Sequence, residues 1–377
     1  MRTEVDRPPS TATGPDALIR WLTDRRDRSP VWRDERGVVH VFGYDEVRTV
    51  LHDWAAFSSD RSALMPGEDR LASGNLTMMD PPEHRALRAA VGRVFTPRVV
   101  ATLRGRITAV AEGLLADVPD DRYDLVEHLA HPLPVIVVAE LLGVPVADRG
   151  LFRDWSAGFG QGRAESVTAL HDYLLAHTRA RRAAPGDDLI SRLLDAGVDG
   201  RPLSDERIAA LAGLLLLAGH LTTTMLLTSA VEVLLDRPDV WAALRRDPAA
   251  VPAAITEVLR LRPPFTQVSR ITTGEVRLAG TTLPTGTLVV AWVLSANRDD
   301  RVFPDPDRFD VDRPDRQVAF GHGIHFCLGA PLARLEAEVA IRLLLARYRE
   351  LSGPHEPVAY YEAPVFGARR LVVAGHP

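Results

Sequence analysis

A single cysteine, Cys327, lies in a stretch that could give a thiol work to do: Phe320-Gly321-His322-Gly323-Ile324-His325-Phe326-Cys327-Leu328-Gly329-Ala330-Pro331. Three glycines here make a tight loop through which backbone can closely approach a bound group. The segment that follows, Ala330–Tyr348, has helical periodicity, and Pro331 is tolerated in a first turn. A cysteine at the start of a helix meets unpaired amides and the positive end of the dipole, so this thiol is expected to ionise easily. The ionised thiol is the reactive, metal-binding form. The plain alternative is a small buried hydrophobe, the usual state of a lone cysteine. One cysteine forms no internal disulfide and no thiolate zinc site by itself.

That loop needs elements to hold it. Besides Ala330–Tyr348, helical spacing marks Pro82–Val94, Ala101–Ala116, Leu133–Leu142, Ser166–Ala184, Asp205–Leu235 and Val251–Leu261. Ser204 is a ready N-cap for the helix from Asp205. Through Leu214–Leu217 that helix is apolar on nearly every face, which places it at the centre of the molecule. Strand signals are fewer. Val38–Phe42 follows a turn at Gly37, while Glu275–Ala279 and Thr287–Val293 flank turn residues and are expected to pair. The class is mainly α with a small β portion.

By length alone, 377 residues suggest two or three domains. No repeat, low-complexity block or linker divides them, so residues 21–377 read as one domain behind a flexible segment at residues 1–20. Hydrophobic residues at 46 % and charged residues at 25 % exclude a disordered, collagen-like or disulfide-scaffold chain. A net charge of −5 gives no reason to expect nucleic acid. Met1–Gly14 lacks the apolar core of a signal peptide, and the run Ile208–Gly219 is too short for a bilayer, which takes about 20 residues. No membrane anchor is expected, and the cysteine usage suits the cytoplasm. All 45 basic residues are arginine, a composition read as codon bias that leaves only always-charged, fork-shaped donors.

The cysteine segment resembles the haem-binding loop of the cytochromes P450, Phe-Gly-x-Gly-x-His-x-Cys-x-Gly. Phe320, Gly321, Gly323, His325, Cys327 and Gly329 all match. The resemblance implies a single-domain P450 fold with haem b (iron protoporphyrin IX) between the long central helix and the cysteine loop. It implies Cys327 as the thiolate ligand, pushing electron density toward O–O cleavage, with loop amides tuning the sulfur. Glu257 and Arg260 match the family's Glu-x-x-Arg pair, and Arg313 the third member of that structural network. His84 and Arg88, four apart on one helix face after Asp80-Pro81-Pro82, match its His-x-x-x-Arg. With Arg270 and His325 they are the implied partners of the haem propionates. Any one of these four could be a solvated charge; four in register disfavour that reading. The match runs from about Trp21 to the C-terminus.

In the central helix, Ala218-Gly219-His220-Leu221-Thr222 resembles the family's oxygen-activating Ala/Gly-Gly-x-Asp/Glu-Thr. Ala218 and Gly219 leave room for dioxygen, and Thr222 matches the alcohol that helps hold it. Leu221 takes the acid's position. A positioned proton donor is typically worth roughly 10²- to 10⁴-fold, and His220 is offset from it by about 100°. Three readings stay open: protons through water or a polar group of the substrate, turnover from peroxide, or coupling, cyclisation or rearrangement without oxygen insertion. Neutral drift with water substituting is the plain alternative. His220 is expected to face away from the iron.

The resemblance implies a monooxygenase that uses O2 and two electrons to hydroxylate or epoxidise an apolar natural-product intermediate in antibiotic or other secondary metabolism. Electrons would come from a ferredoxin and its NAD(P)H-dependent reductase, docking near the cysteine face where Arg334 lies; a monomer is expected. Alignment to the family puts Leu64, Met65, Met78, Met79, Leu214, Phe265, Gln267, Val268 and Phe366 against the substrate, though each could equally be core. Thr266 and Gln267 would add polar contacts. Leu151–Ala184 reads as short for the two helices that roof the pocket. Gly158, Gly160 and Gly162 suggest a mobile entrance suited to a bulky or carrier-tethered substrate.

Overall fold

A computed structural model of the chain describes residues 7–12, 14–61, 75–119, 122–160, 163–198 and 201–376. Helix α1 (Asp16–Arg28) leads into strands β1 (Val31–Arg33) and β2 (Val39–Val41), helix α2 (Tyr44–His52) and the short strand β3 (Phe57–Ser58). Then come α3 (Glu83–Val94), α4 (Arg104–Ala116), α5 (Pro132–Leu141), α6 (Arg149–Gly160) and α7 (Ala164–Ala183). The central helix α8 (Asp205–Leu235) is followed by α9 (Val251–Leu261), β4 (Val268–Thr272), β5 (Val276–Leu278), β6 (Thr281–Leu283), β7 (Leu288–Ala291) and α10 (Ala330–Arg347).

The central helix has the bounds its periodicity predicts. Ser204 caps it, its hydroxyl accepting from Arg207 N at 3.2 Å. The helix packs against α7, α5 and α10, and Ile208, Leu211, Leu216, Met225 and Leu226 are buried. Each such side chain contributes roughly 1.5–3 kcal/mol by leaving water. By length and composition this helix could cross a membrane, but half of its most apolar window is buried inside the fold.

The main sheet runs β1-β2-β7-β4-β3, parallel only between β2 and β7, where Val39 stands opposite Val289. The expected pairing of Glu275–Ala279 with Thr287–Val293 does not form. Ala279 and Gly280 both have positive φ, which suits a two-residue hairpin turn, so β5 pairs at once with β6. That leaves β7 to pair with β4, Val289 opposite Arg270.

Three other expectations are corrected. Thr96 caps a separate short helix, Pro97–Thr102, so Ala101–Ala116 is two elements and not one. The boundary at residue 20 falls inside α1. Leu18 is buried, Arg26 donates to Ser295 O at 3.1 Å, and Thr11 donates to Tyr361 O at 2.9 Å. The stretch after Arg149 does hold two helices, α6 and α7. Gly158 lies within the first, where a Cβ would come 2.1 Å from Ser166 Oγ; it is a close-packing site and not a hinge. Gly160 ends the same helix, and Gly162 lies outside the described residues.

A buried ion pair fixes the approach to the cysteine loop. Arg260 donates from Nε and Nη2 to the two oxygens of Glu257, both at 2.7 Å, and its Nη1 donates to Asn297 O and Pro306 O. Arg313 Nε reaches Glu257 Oε1 at 3.4 Å. Asn297 Oδ1 then accepts from Val318 N at 2.8 Å, two residues before Phe320. The three charged groups thus tie α9 to the irregular chain that delivers the loop.

Candidate active site

The loop closes on itself. Cys327 N donates to Phe320 O at 2.8 Å, and Gly321 N donates to Val318 O at 2.9 Å. Gly323 has φ +72°, and a Cβ there would lie 3.0 Å from His52 Cα, so only glycine lets the loop sit on the end of α2. Phe320 lies under the Arg334 guanidinium at 5.2 Å. That arginine also donates to Thr256 Oγ1 and Asp315 Oδ2. Arg334 therefore braces the loop at a half-buried position, its charge already paired with Asp315.

Cys327 is half-buried. Burial pushes its thiol above the ordinary value, while hydrogen bonds from the Gly329 and Ala330 amides and the nearby Arg88 pull it down. The expectation of easy ionisation fails for the protein alone, because the cost of desolvating a thiolate exceeds what two amides return. The amides are nonetheless aimed at the sulfur.

Basic side chains gather beside it. The His84 and His325 rings are 4.3 Å apart, and Arg88 Nη2 donates to Phe326 O. Arg270, on β4, is buried and, among the described residues, donates only to its neighbour Ser269 O. Burial and the adjacent Arg61 lower its pKa to about 10. Burial, then His84, Arg270 and Arg88, push His325 down to about 3. His84 Nε2 and Arg61 Nε are buried without hydrogen-bond partners among the described residues. The four basic residues expected from the sequence do converge. Arg61, Ser59 and Asp80 join them unannounced, since their only signal was adjacency to a strand end and to the Asp-Pro-Pro turn.

On α8, Ala218 is exposed and Gly219 and Thr222 are half-buried, within a helix whose following residues, Thr223–Leu234, are buried. Thr222 Oγ1 donates to Ala218 O at 2.6 Å. His220 is buried on another face, its ring 4.4 Å from that of His131. Burial and then His131 lower its pKa to about 3.

Of the residues expected to face a substrate, Phe265 is 42 % exposed and bridges Val365. Met78, Met79, Leu214, Gln267 and Val268 are half-buried. Phe366 takes the core reading of the two open to it: it is 1 % exposed and stacks on Tyr360. Thr266 spends its hydroxyl on Pro364 O, at 3.1 Å, whereas the Gln267 amide has no partner among the described residues. A Cβ on Gly367 would lie 2.6 Å from Met225, and Ala368 N donates to Thr228 Oγ1 at 3.3 Å, so the 364–368 segment seats directly on α8. Leu64 and Met65 lie outside the described residues.

Comparison with known proteins agrees with this geometry. The family model described as Cytochrome P450 matches residues 249–363. Erythromycin C-12 hydroxylase of Saccharopolyspora erythraea is 46 % identical, over 99 % of this chain and 98 % of that protein. The chain belongs to the cytochrome P450 family. Cyclomarin C epoxidase CymV of Salinispora arenicola is 43 % identical, over 97 % of this P450 and 98 % of that one. Among solved structures, ligand-free cytochrome P450 TbtJ1 superposes with a TM-score of 0.92 at 47 % identity, covering 98 % and 100 % of the two chains. The open form of cytochrome P450 EryK from S. erythraea gives 0.93 at 45 % identity, covering 98 % of each.

This P450 is an oxidoreductase, a haem-thiolate monooxygenase. The residues present suit such a group. A sulfur approached by two amides is prepared for a ligated thiolate, and a converging set of basic side chains, with His84 Nε2 and Arg61 Nε unpartnered among the described residues, is prepared for carboxylates.

Proposed function

We propose that this P450 inserts oxygen into an apolar natural-product intermediate, by hydroxylation or epoxidation, in secondary metabolism. Cys327 would ligate the iron of haem b, while His84, Arg88, Arg270 and His325 would hold the propionates, and Phe320, Gly321 and Gly329 shape the ligand loop. The observation that carries the reading is the amide-approached Cys327 sulfur beside a converging basic cluster, in which His84 Nε2 and Arg61 Nε are buried without hydrogen-bond partners among the described residues. Bound haem supplies reductive activation of dioxygen: with two electrons and two protons, one atom enters the substrate and the other leaves as water. Electrons would come from a ferredoxin and its NAD(P)H-dependent reductase.

The protein's share is to bind, to orient and to handle protons. Thr222 has its hydroxyl proton on Ala218 O, so its lone pairs are available to accept from a water and fix that water beside the small Ala218-Gly219 surface. Leu221 carries no proton, and His220 stays neutral on another face. Protons therefore arrive through water held at Thr222 Oγ1 or through the substrate's own polar groups. Phe265, Met78, Met79, Leu214 and Val268 offer apolar contact, and Gln267 a free amide to orient a hydroxyl or carbonyl.

The similar proteins erythromycin C-12 hydroxylase and cyclomarin C epoxidase are a hydroxylase and an epoxidase by name, which supports the natural-product reading. Leu221 favours one second reading, hydrogen removal with coupling, cyclisation or rearrangement and no oxygen insertion. Turnover under labelled dioxygen decides between them. Label in the product is expected; an unlabelled, dehydrogenated product establishes the second reading. The reduced carbon-monoxide spectrum should carry the thiolate band and lose it in Cys327→Ser.

A further inference from the structure

We infer that Asp80 is a positioning residue for the haem carboxylates, acting through Ser58, Ser59 and His325; this rests on the reading that the basic cluster holds those carboxylates. Asp80 Oδ2 accepts from Ser58 Oγ, and Oδ1 accepts from Ser59 N at 3.1 Å. Ser58 Oγ in turn accepts from Asp60 N at 3.0 Å. The buried Ser59 then shares a hydrogen bond with His325 Nε2, 2.9 Å from its hydroxyl. Asp80 Oδ1 itself lies 4.0 Å from that nitrogen. The backbone carbonyl of Asp80 accepts from His84 N at 3.1 Å, setting the first turn of α3 and with it His84 and Arg88.

One residue therefore ties three separate pieces of chain. Ser58 is paired with Ile271, next to Arg270, so the β3 end and β4 move together. His325 belongs to the cysteine loop, and His84 and Arg88 to α3. Without the tie, His325 could turn about its side-chain torsions and the two imidazoles, 4.3 Å apart, would lose their common placement.

Asp80 has two opposed effects on an anion bound here. Its own charge repels carboxylates, while the order it imposes pre-organises the groups that bind them. The two predict opposite signs, which makes the inference testable. Positioning dominates.

The experiment measures the rate at which ferric holoprotein gives up haem to excess apomyoglobin, with the thermal midpoint recorded for every variant. Asp80→Ala is expected to release haem about ten-fold faster. Asp80→Asn keeps an amide oxygen for Ser59 N and should recover most of that loss. Ser59→Ala should release haem about three-fold faster, and Ser59→Thr, which keeps the hydroxyl, should restore the rate. Slower release from Asp80→Asn than from wild type would show that charge repulsion dominates and overturn the inference. Arg270→Gln is the control for the underlying reading. If it speeds release while Asp80→Ala and Ser59→Ala do not, the carboxylate site stands and the positioning role falls; if none of the three changes release, the carboxylate reading itself fails. Should the Asp80 variants not fold, the Ser59 pair decides alone, and an unchanged rate in Ser59→Ala overturns the inference.

Discussion

His220 and His131 stand edge to face with ring centroids 4.4 Å apart, and His220 Nε2 is buried without a hydrogen-bond partner among the described residues. The histidine beside Leu221 is thus packed as an apolar ring, and burial lowers its pKa to about 3. It stays neutral across the working range and carries no catalytic proton.

The same pair sets an acid response. An unfolded His220 takes up a proton near pH 6.5 while the folded one resists to about 3, so stability is full above 6.5 and drains as pH falls. His220→Leu should flatten this loss, which for one group amounts to at most about 5 kcal/mol. Urea midpoints at pH 7 and pH 5 test it: the variant's drop should be the smaller. An unchanged drop would place the acid sensitivity elsewhere.

Glu336 gives the opposite slope. It is fully buried on α10, both carboxyl oxygens lack partners among the described residues, and burial raises its pKa to about 8. Folded Glu336 keeps its proton where the unfolded chain has lost it, so stability falls from about pH 4.5 to pH 8. Glu336→Gln should raise the thermal midpoint, and by more at pH 8 than at pH 5. An equal gain at both values would mean that the carboxyl is already ionised in the folded protein.

Breaking the Glu257–Arg260 pair should be costly, because both partners are buried and the arginine also serves three carbonyls. Glu257→Gln leaves a buried guanidinium short of its counter-charge, a loss of about 3–5 kcal/mol in comparable sites. Denaturant unfolding reads the cost. The reduced carbon-monoxide band should shift from the thiolate position as the loop behind Asn297 and Val318 loosens.

Thr222→Ala removes the hydroxyl that donates to Ala218 O. Product formed per NAD(P)H consumed should fall by roughly 10²-fold, the electrons appearing as hydrogen peroxide. Product, cofactor and peroxide measured in one reaction check this. Unchanged coupling would assign the water to a group on the substrate.

Much of the site was legible locally. The cysteine loop, the His84–Arg88 spacing and the Asp205–Leu235 helix are written within single short windows, by glycine placement, an i, i+4 repeat and a serine cap. The hairpin at Ala279-Gly280 was misread because a positive-φ alanine gives no warning, and strand choice then passed to distant partners. Phe366 and Phe265, one exposed and one buried, are indistinguishable by type.

The sequence by itself determined which groups exist to do chemistry: one thiol, a set of basic side chains, one helical threonine, and a leucine in place of an acid. Tertiary structure decided their condition. Cys327 is held back from ionising by desolvation, Arg334 is paired with Asp315 across the loop, and Asp80 and Ser59 reach His325 across more than two hundred residues of chain. Helix propensity and turn chemistry act between near neighbours, whereas burial, pairing register and charge environment are sums over whatever segments the fold brings together.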